Sequence, residues 1–402
     1  MKYVNKKRIL LITPSLEFPG FRGYEVMLWK YLKEASIYYD IDLVTFYKKE
    51  DEKAKTYKYA KPFCVNIHFI KLSKFKLLIN IFYGFLIYLP FQVLYYRSNK
   101  MSSLIKKLVA ENSYSILFFN LIRTAQFIPN NYTGKSVLNM VDPLVLNYEK
   151  TLKLRNIFYK TVFCIEIRRL KSYEYRILNN FSHISLISKK DIEDYENLYG
   201  INTFINLPYG VDINYFSPLN KTFNFNISDY IIITGNMSYW PNVKGVIFFC
   251  EKVFPLIKLI YPDIKLFLVG ANPTKKIVKF GIIDKQIVVT GKVEDIRYYL
   301  GNAKVSICPI SLDVGVQTKV LESMAMGTPV VTTSAGSRGI IGKNKKHFLI
   351  ADTPEDIADS VIAILNGEYK DRMINSARNF VINNFSWDYS VSIFLKLISS
   401  TS

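Results

Sequence analysis

Cysteine and histidine are scarce in this chain. Four cysteines and three histidines occur in 402 residues, they lie far apart, and no Cys-x-x-Cys pair exists. Isolated cysteines in apolar surroundings indicate buried thiols in a reducing compartment rather than a disulfide framework. Their scatter also argues against a structural metal site and against a Cys/His nucleophile pair. The residues are Cys64, Cys164, Cys250, Cys308, His68, His183 and His347.

Acidic residues are few relative to basic ones. The chain has 33 Asp and Glu and 53 Lys and Arg, which gives a net charge of +20. Such an excess indicates an anionic partner, and nucleic acid, an acidic membrane surface and nucleotide-linked substrates all qualify. A coding bias toward Lys, Ile, Asn, Tyr and Phe would explain part of the same excess.

The chain begins without the pattern of a secretory signal. Lys6, Lys7 and Arg8 run directly into a short apolar strand that ends at Pro14, too short for the apolar region of a signal peptide. We therefore expect a cytoplasmic protein.

Residues 77–96 contain no charged side chain. Their length meets the hydropathy criterion for a membrane span, but Pro90 and Gln92 interrupt them. Their aromatic content and the flanking Lys and Arg suit a membrane interface. Three interpretations stay open: interfacial membrane contact, ordinary buried helices, and a true span, which is the least favoured.

Apolar strands alternate with helical patterns along the whole chain. With an apolar fraction of 50%, this predicts two α/β domains of the doubly wound type. We expect the helix over 157–179 to carry an ion-paired face that includes Glu166, Arg169 and Glu174. Strands are predicted over 8–13, 41–47, 114–120, 135–142, 183–188, 230–234, 265–270, 287–291 and 348–350.

The most informative stretch is residues 305–336. A buried strand, a polar loop with Gly315, a helix over 319–326 and a second strand from Pro329 to Gly336 make one βαβ unit. Ligands in parallel sheets bind outside the carboxyl ends of the strands, and amides at a helix start hold phosphate. Glu322 is on a mostly apolar helix, so its carboxylate needs a partner. A solvated helical Glu is the commoner case.

The sequence KVLESMAMGTPVV, residues 319–331, resembles the nucleotide-sugar signature of the family-4 retaining glycosyltransferases, also called glycosyl transferases group 1. GNMSYWPNVKG, residues 235–245, is similar to an exopolysaccharide-type bacterial branch of that family. The resemblance implies a GT-B fold, with two Rossmann-like domains facing a central cleft. It implies an acceptor-binding domain at 1–210, a nucleotide-sugar-binding domain at 211–385, and a terminal helix, 386–402, packed back on the first.

The resemblance also implies a donor site. Glu322 would hold the ribose, Lys319 would face phosphate, and Asn236 stands where relatives have an arginine. At the position of the family's acidic residue for the donor sugar this chain has Val314, so the adjacent Asp313 is the candidate there. The donor-binding set is Glu322, Lys319, Gln317, Val316, Gly315, Gly235, Asn236, Lys244 and Val293.

In the first domain, Asp142 ends a predicted strand at a place where the family has an acceptor-side or catalytic aspartate. Many relatives use a histidine nearby, and this chain has none between His68 and His183. A strand-end aspartate also commonly caps a helix or forms a turn. Gly20, Gly23 and Gly210 are the candidate acceptor-side glycines, and Asp142 and Asp313 are the catalytic candidates.

These implications define the expected function. The chain would be a metal-independent retaining transferase without a cofactor, moving a sugar from a nucleotide-sugar to a lipid-linked saccharide in surface polysaccharide synthesis. It would lie on the cytoplasmic, anionic face of the cell membrane and bind no specific nucleic acid. Two alternatives stay open: a GT-B nucleotide-sugar epimerase, which the scarcity of His disfavours, and a catalytically inert nucleotide-sugar-binding subunit, which Asn236 and Val314 favour.

Overall fold

The computed structural model describes residues 6–18, 22–72, 88–130, 132–152, 157–218, 229–311 and 315–399. The chain divides into two compact units, Met1–Leu207 with Val391–Ser402, and Pro208–Ser390. The divisions predicted from the sequence are at 210/211 and 385/386.

The first unit is built on a parallel sheet of seven strands in the described residues, in the order β3-β2-β1-β4-β5-β6-β7. The strands are β1 Lys7–Thr13, β2 Tyr39–Tyr47, β3 Asn66–Lys71, β4 Tyr114–Asn120, β5 Ser136–Val141, β6 His183–Leu186 and β7 Phe204–Asn206. The helices are α1 Gly23–Ala35, α2 Glu50–Ala60, α3 Phe91–Tyr95, α4 Asn99–Glu111, α5 Leu144–Leu152, α6 Ile157–Ile177 and α7 Lys189–Tyr199, with short 3-10 turns at Lys61–Phe63, Ile122–Phe127 and Leu178–Asn180.

A buried polar ladder crosses the middle of this sheet. Asn120 on β4 donates to Thr13 Oγ1 (3.3 Å), Asn139 on β5 donates to Asn120 Oδ1 (2.9 Å), and Ser185 on β6 donates to Asn139 Oδ1 (3.0 Å). All four side chains are buried. Because a buried polar atom without a partner is costly, the ladder fixes how the four strands align at their carboxyl ends.

The second unit has a parallel sheet of six strands in its described part, in the order β10-β9-β8-β11-β12-β13. The strands are β8 Tyr230–Thr234, β9 Lys265–Val269, β10 Ile287–Gly291, β11 Val305–Cys308, β12 Val330–Thr332 and β13 Leu349–Ile350. The helices are α8 Trp240–Phe248, continued by a π-helical turn Phe249–Val253, then α9 Phe254–Ile260, α10 Lys275–Ile283, α11 Ile296–Asn302, α12 Thr318–Ala325, α13 Ser334–Ser337, α14 Pro354–Leu365, α15 Lys370–Phe385 and α16 Trp387–Ser399.

Both units therefore have the doubly wound order of a Rossmann-like domain, as the sequence predicts. The chain's last residues belong to the first unit. There Phe394 of α16 stacks on Tyr31, with ring centroids 4.3 Å apart, and meets the edge of Phe118 at 5.5 Å. All three rings are buried, so the end of the chain completes the core of the first unit.

One prediction about an element is wrong. The strand expected from Pro329 to Gly336 ends at Thr332, because the Thr333 side chain accepts from the Gly336 amide (3.0 Å) and starts helix α13. On α6, Lys171 pairs with Glu149 of α5 at 2.6 Å. Burial raises the pKa of Glu166, against the nearby charge of Arg169. Glu166 also accepts from the Phe91 amide (2.9 Å), and the Arg169 guanidinium lies 5.1 Å from the centroid of the Phe91 ring.

The uncharged segment 77–96 lies mostly outside the described residues, which resume at Tyr88. Its described end contains the short helix α3, Phe91–Tyr95. Among the described helices, none is both long enough and apolar enough to cross a membrane.

Candidate functional site

In the second unit, β8 and β11 are neighbours in the sheet although two strands separate them along the chain. Connections leave these two strands toward opposite sides, which opens a crevice at their carboxyl ends. The loop after β8 contains Gly235 and Asn236, and the loop after β11 leads through Gly315 into α12. Four of the predicted donor-binding residues therefore flank this crevice: Gly235, Asn236, Gly315 and Lys319.

Glycines shape the loops at this edge. Gly235 (φ +144°) and Gly270 (φ +155°) occupy conformations that other residues rarely adopt. A Cβ atom on Gly270 would lie 1.7 Å from the Gly235 carbonyl oxygen. Gly270 also donates to the Gly291 carbonyl (3.0 Å), so the turns after three adjacent strands pack against one another. The Gly235 amide donates to the Val269 carbonyl (3.1 Å), and the side chains of Asn242 and Lys319 lie beside Gly235.

Lys319 is tied to the loop after β8. Its ammonium donates to Asn242 Oδ1 at 2.6 Å, and Asn242 Nδ2 donates in turn to the Asn236 carbonyl at 2.9 Å. The Asn236 side chain accepts from Ser238 and holds the same loop. Asn242 is absent from the predicted site, although it lies within the quoted GNMSYWPNVKG motif. It positions a lysine that the prediction places on phosphate.

Glu322 lies one turn into α12. Its neighbours Val320, Leu321, Ser323, Met324 and Ala325 are buried, while Glu322 is partly exposed. Among the described residues its carboxylate has no hydrogen-bonding or ion-pairing partner. Desolvation raises the pKa of Glu322 to about 7, against the nearby charge of Lys319. Burial in turn lowers the pKa of Lys319, against the charges of Cys308 and Glu322.

Tyr209 shares the surroundings of Glu322. Burial, and then the Glu322 charge, raise the pKa of the Tyr209 hydroxyl to about 12. Its ring lies 5.3 Å from that of Trp387, and a Cβ on the adjacent Gly210 would lie 2.3 Å from the Trp387 ring. Gly210 thus lets the chain pass close to Trp387. Tyr209 is absent from the predicted site.

The other predicted donor residues take varied positions in the second unit. Gly315 (φ +59°) packs against Gly339, where a Cβ would lie 2.1 Å from the Gly315 carbonyl oxygen. Gln317 is the residue before α12, and Val316 packs on an apolar cluster. Val293 packs on another such cluster. Lys244 is exposed, with its ammonium 4.5 Å from the centroid of the Trp240 ring. Asp313 lies outside the described residues.

In the first unit, Asp142 follows a strained turn. Val141 ends β5 with φ +68°, rare for a β-branched residue, and the Asp142 amide donates to the Met140 carbonyl (2.9 Å) in a γ-turn. Burial and the Asp191 charge raise the pKa of Asp142 to about 6, against the charge of Arg123. Such strain is found at functional sites, where surrounding structure holds it in place.

Arg123 is fixed beside this turn. Its Nε donates to Gln92 Oε1 (3.0 Å), and Gln92 Nε2 donates to the Tyr148 hydroxyl (2.9 Å). The preceding Leu121, at the end of β4, also has positive φ, +66°. Sequence reasoning missed Arg123, because no motif marks it and its place depends on the adjacent strand.

The loop after β1 forms a second polar group in the first unit. Ser15 Oγ donates to Glu25 (2.9 Å), and Arg22 donates to the Tyr24 hydroxyl (2.9 Å). Gly23 begins α1 within this group, and Gly20 lies outside the described residues. The loop borders a pocket that Arg22, Phe46, Lys48, Glu52 and Tyr96 also line.

Within the described part of the chain, no three or more His, Cys, Asp or Glu side chains are grouped as metal ligands.

Residues 228–367 match the family described as "Glycosyl transferases group 1". A Klebsiella pneumoniae protein described as "Uncharacterized 44.6 kDa protein in cps region" is 22% identical over 373 residues, which span 88% of this chain and 90% of that protein.

Solved structures resemble the whole chain. A glycosyltransferase from Rickettsia africae ESF-5 superposes with a TM-score of 0.69 at 19% identity, over 99% of this chain and 100% of that one. Anabaena HepE in complex with UDP superposes with a TM-score of 0.66 at 14% identity, over 98% and 100%. The same Anabaena protein is also solved with UDP-glucose. With two parallel-sheet α/β units, these likenesses confirm the GT-B fold, and the domain match supports a glycosyltransferase of this type.

Proposed function

We propose that this chain transfers a sugar from a nucleotide-sugar donor to a saccharide acceptor, with retention of the anomeric configuration. The observation that carries the proposal is that Glu322 and Lys319 lie near each other on α12, beside glycine turns at the crevice of the second unit. A carboxylate without a partner among the described residues and a lysine held by Asn242 match the hydroxyls and the diphosphate of such a donor.

Each group has a proposed role. Glu322 accepts hydrogen bonds from ribose hydroxyls, while Lys319 and loop amides at Gly315, Val316 and Gln317 stabilise charge on the departing diphosphate without a metal. Asn236, which stands where relatives have an arginine, leaves more of that charge to Lys319. Gly315, Val316 and Gln317 line the loop side, Val293 the nucleobase side, and Asp313 the donor sugar.

The acceptor side is proposed for the first unit. Asp142 contacts the attacking hydroxyl and directly follows the strained residue Val141. The cps-region relative supports a role in capsule or other surface polysaccharide synthesis. A lipid-linked acceptor and a peripheral place on the cytoplasmic membrane face follow from that role and from the charge of +20.

Thermal unfolding against a panel of nucleotide-sugars tests the donor site. A ligand that binds only the native state at a hundredfold excess over Kd stabilises it by about 2.7 kcal/mol. One donor class should raise the unfolding temperature of the wild type, and Glu322→Ala should lose that rise. Glu355→Ala is the matched control, since Glu355 is an exposed helical carboxylate of the same unit and should keep it.

The outcomes separate the candidates. If no nucleotide-sugar stabilises the wild type, the donor proposal fails. If a donor binds through Glu322 but no sugar is transferred or hydrolysed, the inert nucleotide-sugar-binding subunit, favoured by Asn236 and Val314, replaces the enzyme. Release of an epimerised nucleotide-sugar instead identifies the epimerase.

A further inference from the structure

Four large aliphatic side chains lie open to solvent at the ends of two helices in the second unit. Leu259 and Ile260 end α9 with 78% and 61% of their surface exposed, and Ile282 and Ile283 end α10 with 68% and 70% exposed. Single exposed aliphatics are ordinary, but a group of four indicates an interaction surface. We call these four residues the aliphatic face.

The two helix ends lie side by side. Lys258, which precedes Leu259, donates to Asp284 at 2.5 Å, and Asp284 follows Ile283. Gln286 also donates to the Pro262 carbonyl. These contacts join the end of α9 to the end of α10, so the aliphatic face is one patch and not two.

Helix α10 has an apolar outer side. Ile277 is buried against the core, whereas Val278 and Ile282, one turn apart, point outward and are exposed. Lys275 and Lys279 occupy the same outward side. An exposed helix side that combines aliphatic residues with lysines is typical of helices that bind at a membrane interface.

The charge around this face is positive. Residues 251–286 contain seven lysines and three acidic residues. Two of those acids, Glu251 and Asp284, are paired with Lys276 and Lys258. The exposed lysines without an ion pair in the described structure are Lys252, Lys275, Lys279 and Lys285, against Asp263 alone among the acids.

We propose that the aliphatic face docks the second unit onto an anionic lipid bilayer, with the aliphatic side chains inserted at the interface and the lysines over lipid phosphates. The lysines are complementary to anionic lipid at about 1 kcal/mol each. A symmetric contact with a second copy would bring the same lysines together, which is unfavourable. Four side chains also fall well short of the roughly 800 Å² per partner of a stable protein interface.

Vesicle binding by the full chain tests the proposal. The protein is sedimented with vesicles of phosphatidylcholine alone, or with about one-third phosphatidylglycerol, at low and at raised salt. The wild type should bind the anionic vesicles. Ile282→Ser/Ile283→Ser should lower the partition coefficient at least about tenfold, and Lys279→Ala/Lys285→Ala about tenfold with a weaker salt dependence. Ile37→Ser, which changes an aliphatic of the first unit exposed at 56%, should bind like the wild type.

The changed side chains are exposed, so the variants should fold like the wild type. The unfolding temperature of each variant verifies this. Equal binding by Ile282→Ser/Ile283→Ser and the wild type would overturn the proposal, as would no binding to anionic vesicles. Wild-type self-association that this variant abolishes, without vesicle binding, would make the face a protein contact and also overturn it. The inference rests on the proposed membrane location, and the variants separate the two: binding that Ile282→Ser/Ile283→Ser leaves unchanged overturns the aliphatic face alone, whereas no binding by the wild type overturns the membrane location as well. Sugar transfer is tested independently, because the assay contains no donor or acceptor.

Discussion

Glu322 is a carboxylate whose surroundings disfavour its charge. Desolvation lifts its pKa from 4.5 to about 7, and in the described structure only Lys319 nearby opposes the shift. An ionised carboxylate in these surroundings lowers the stability of the free protein. A ligand that donates hydrogen bonds to the carboxylate would compensate for that loss. The sequence predicts Glu322 as the central site residue, but not its lack of a protein partner, since that depends on what the fold leaves beside α12.

Replacing this carboxylate should stabilise the free protein at alkaline pH. The pKa of Glu322 is higher in the folded than in the unfolded chain, so stability is highest with the group protonated and falls as pH rises from about 4.5 to about 7. Glu322→Gln cannot ionise and should escape that loss, with a gain approaching about 3 kcal/mol at about pH 8. Denaturant unfolding at acidic and alkaline pH measures it. Parallel pH profiles of wild type and variant would show that the shift is absent.

Asp142 should matter for transfer and not for donor binding. Asp142→Asn keeps the shape and removes the charge of a side chain in the first unit, while the predicted donor residues with structural support lie in the second. We expect kcat to fall roughly a hundredfold with the donor-induced rise in unfolding temperature unchanged. Wild-type turnover in this variant would remove Asp142 from the candidates and leave its strained turn without a function.

At the scale of elements, the turns after β8, β9 and β10 are predicted from their glycines, whereas their mutual packing is not. Gly270 and Gly235 are far apart in sequence, and only the adjacency of β8 and β9 brings them together. Helix α10 went unpredicted for a different reason: its exposed Val278 and Ile282 obscure the usual apolar-inside period.

Gly270→Ala should damage both fold and site. A Cβ 1.7 Å from the Gly235 carbonyl oxygen forces the two turns apart, at a cost of roughly 3 kcal/mol in the free energy of unfolding and with weakened donor binding. Gly367→Ala is the matched control, because Gly367 has φ +92° but nothing within 4 Å of the added carbon. That change should cost only about 1 kcal/mol. Equal losses in denaturant unfolding would show that backbone conformation, and not the contact between turns, sets the cost.

At the scale of the whole molecule, the chain returns at its end to the unit in which it began. Composition and pattern predict two α/β domains, and the family resemblance predicts the return of the last helix. Neither predicts which side chains make the contact, because Tyr31, Phe118 and Phe394 lie on three separate elements. The contact among these three rings depends on the strand order of the first sheet.

Phe394→Ala should therefore destabilise the first unit. Emptying the buried space beside Tyr31 and Phe118 should cost about 3 kcal/mol in the free energy of unfolding. Denaturant unfolding measures this loss. Tyr389→Ala, at a half-exposed position of the same helix, should cost much less. A stability unchanged by Phe394→Ala would contradict the packing of the chain end on the first unit.

The most direct test of the account is the configuration of the product. The protein is incubated with the nucleotide-sugar that stabilises it and with lipid-linked acceptor, and the new glycosidic linkage is assigned by proton NMR. The account predicts the same anomeric configuration in donor and product, formed without added metal and lost in Glu322→Ala. An inverted linkage, or no transfer by a protein that binds its donor through Glu322, would contradict it.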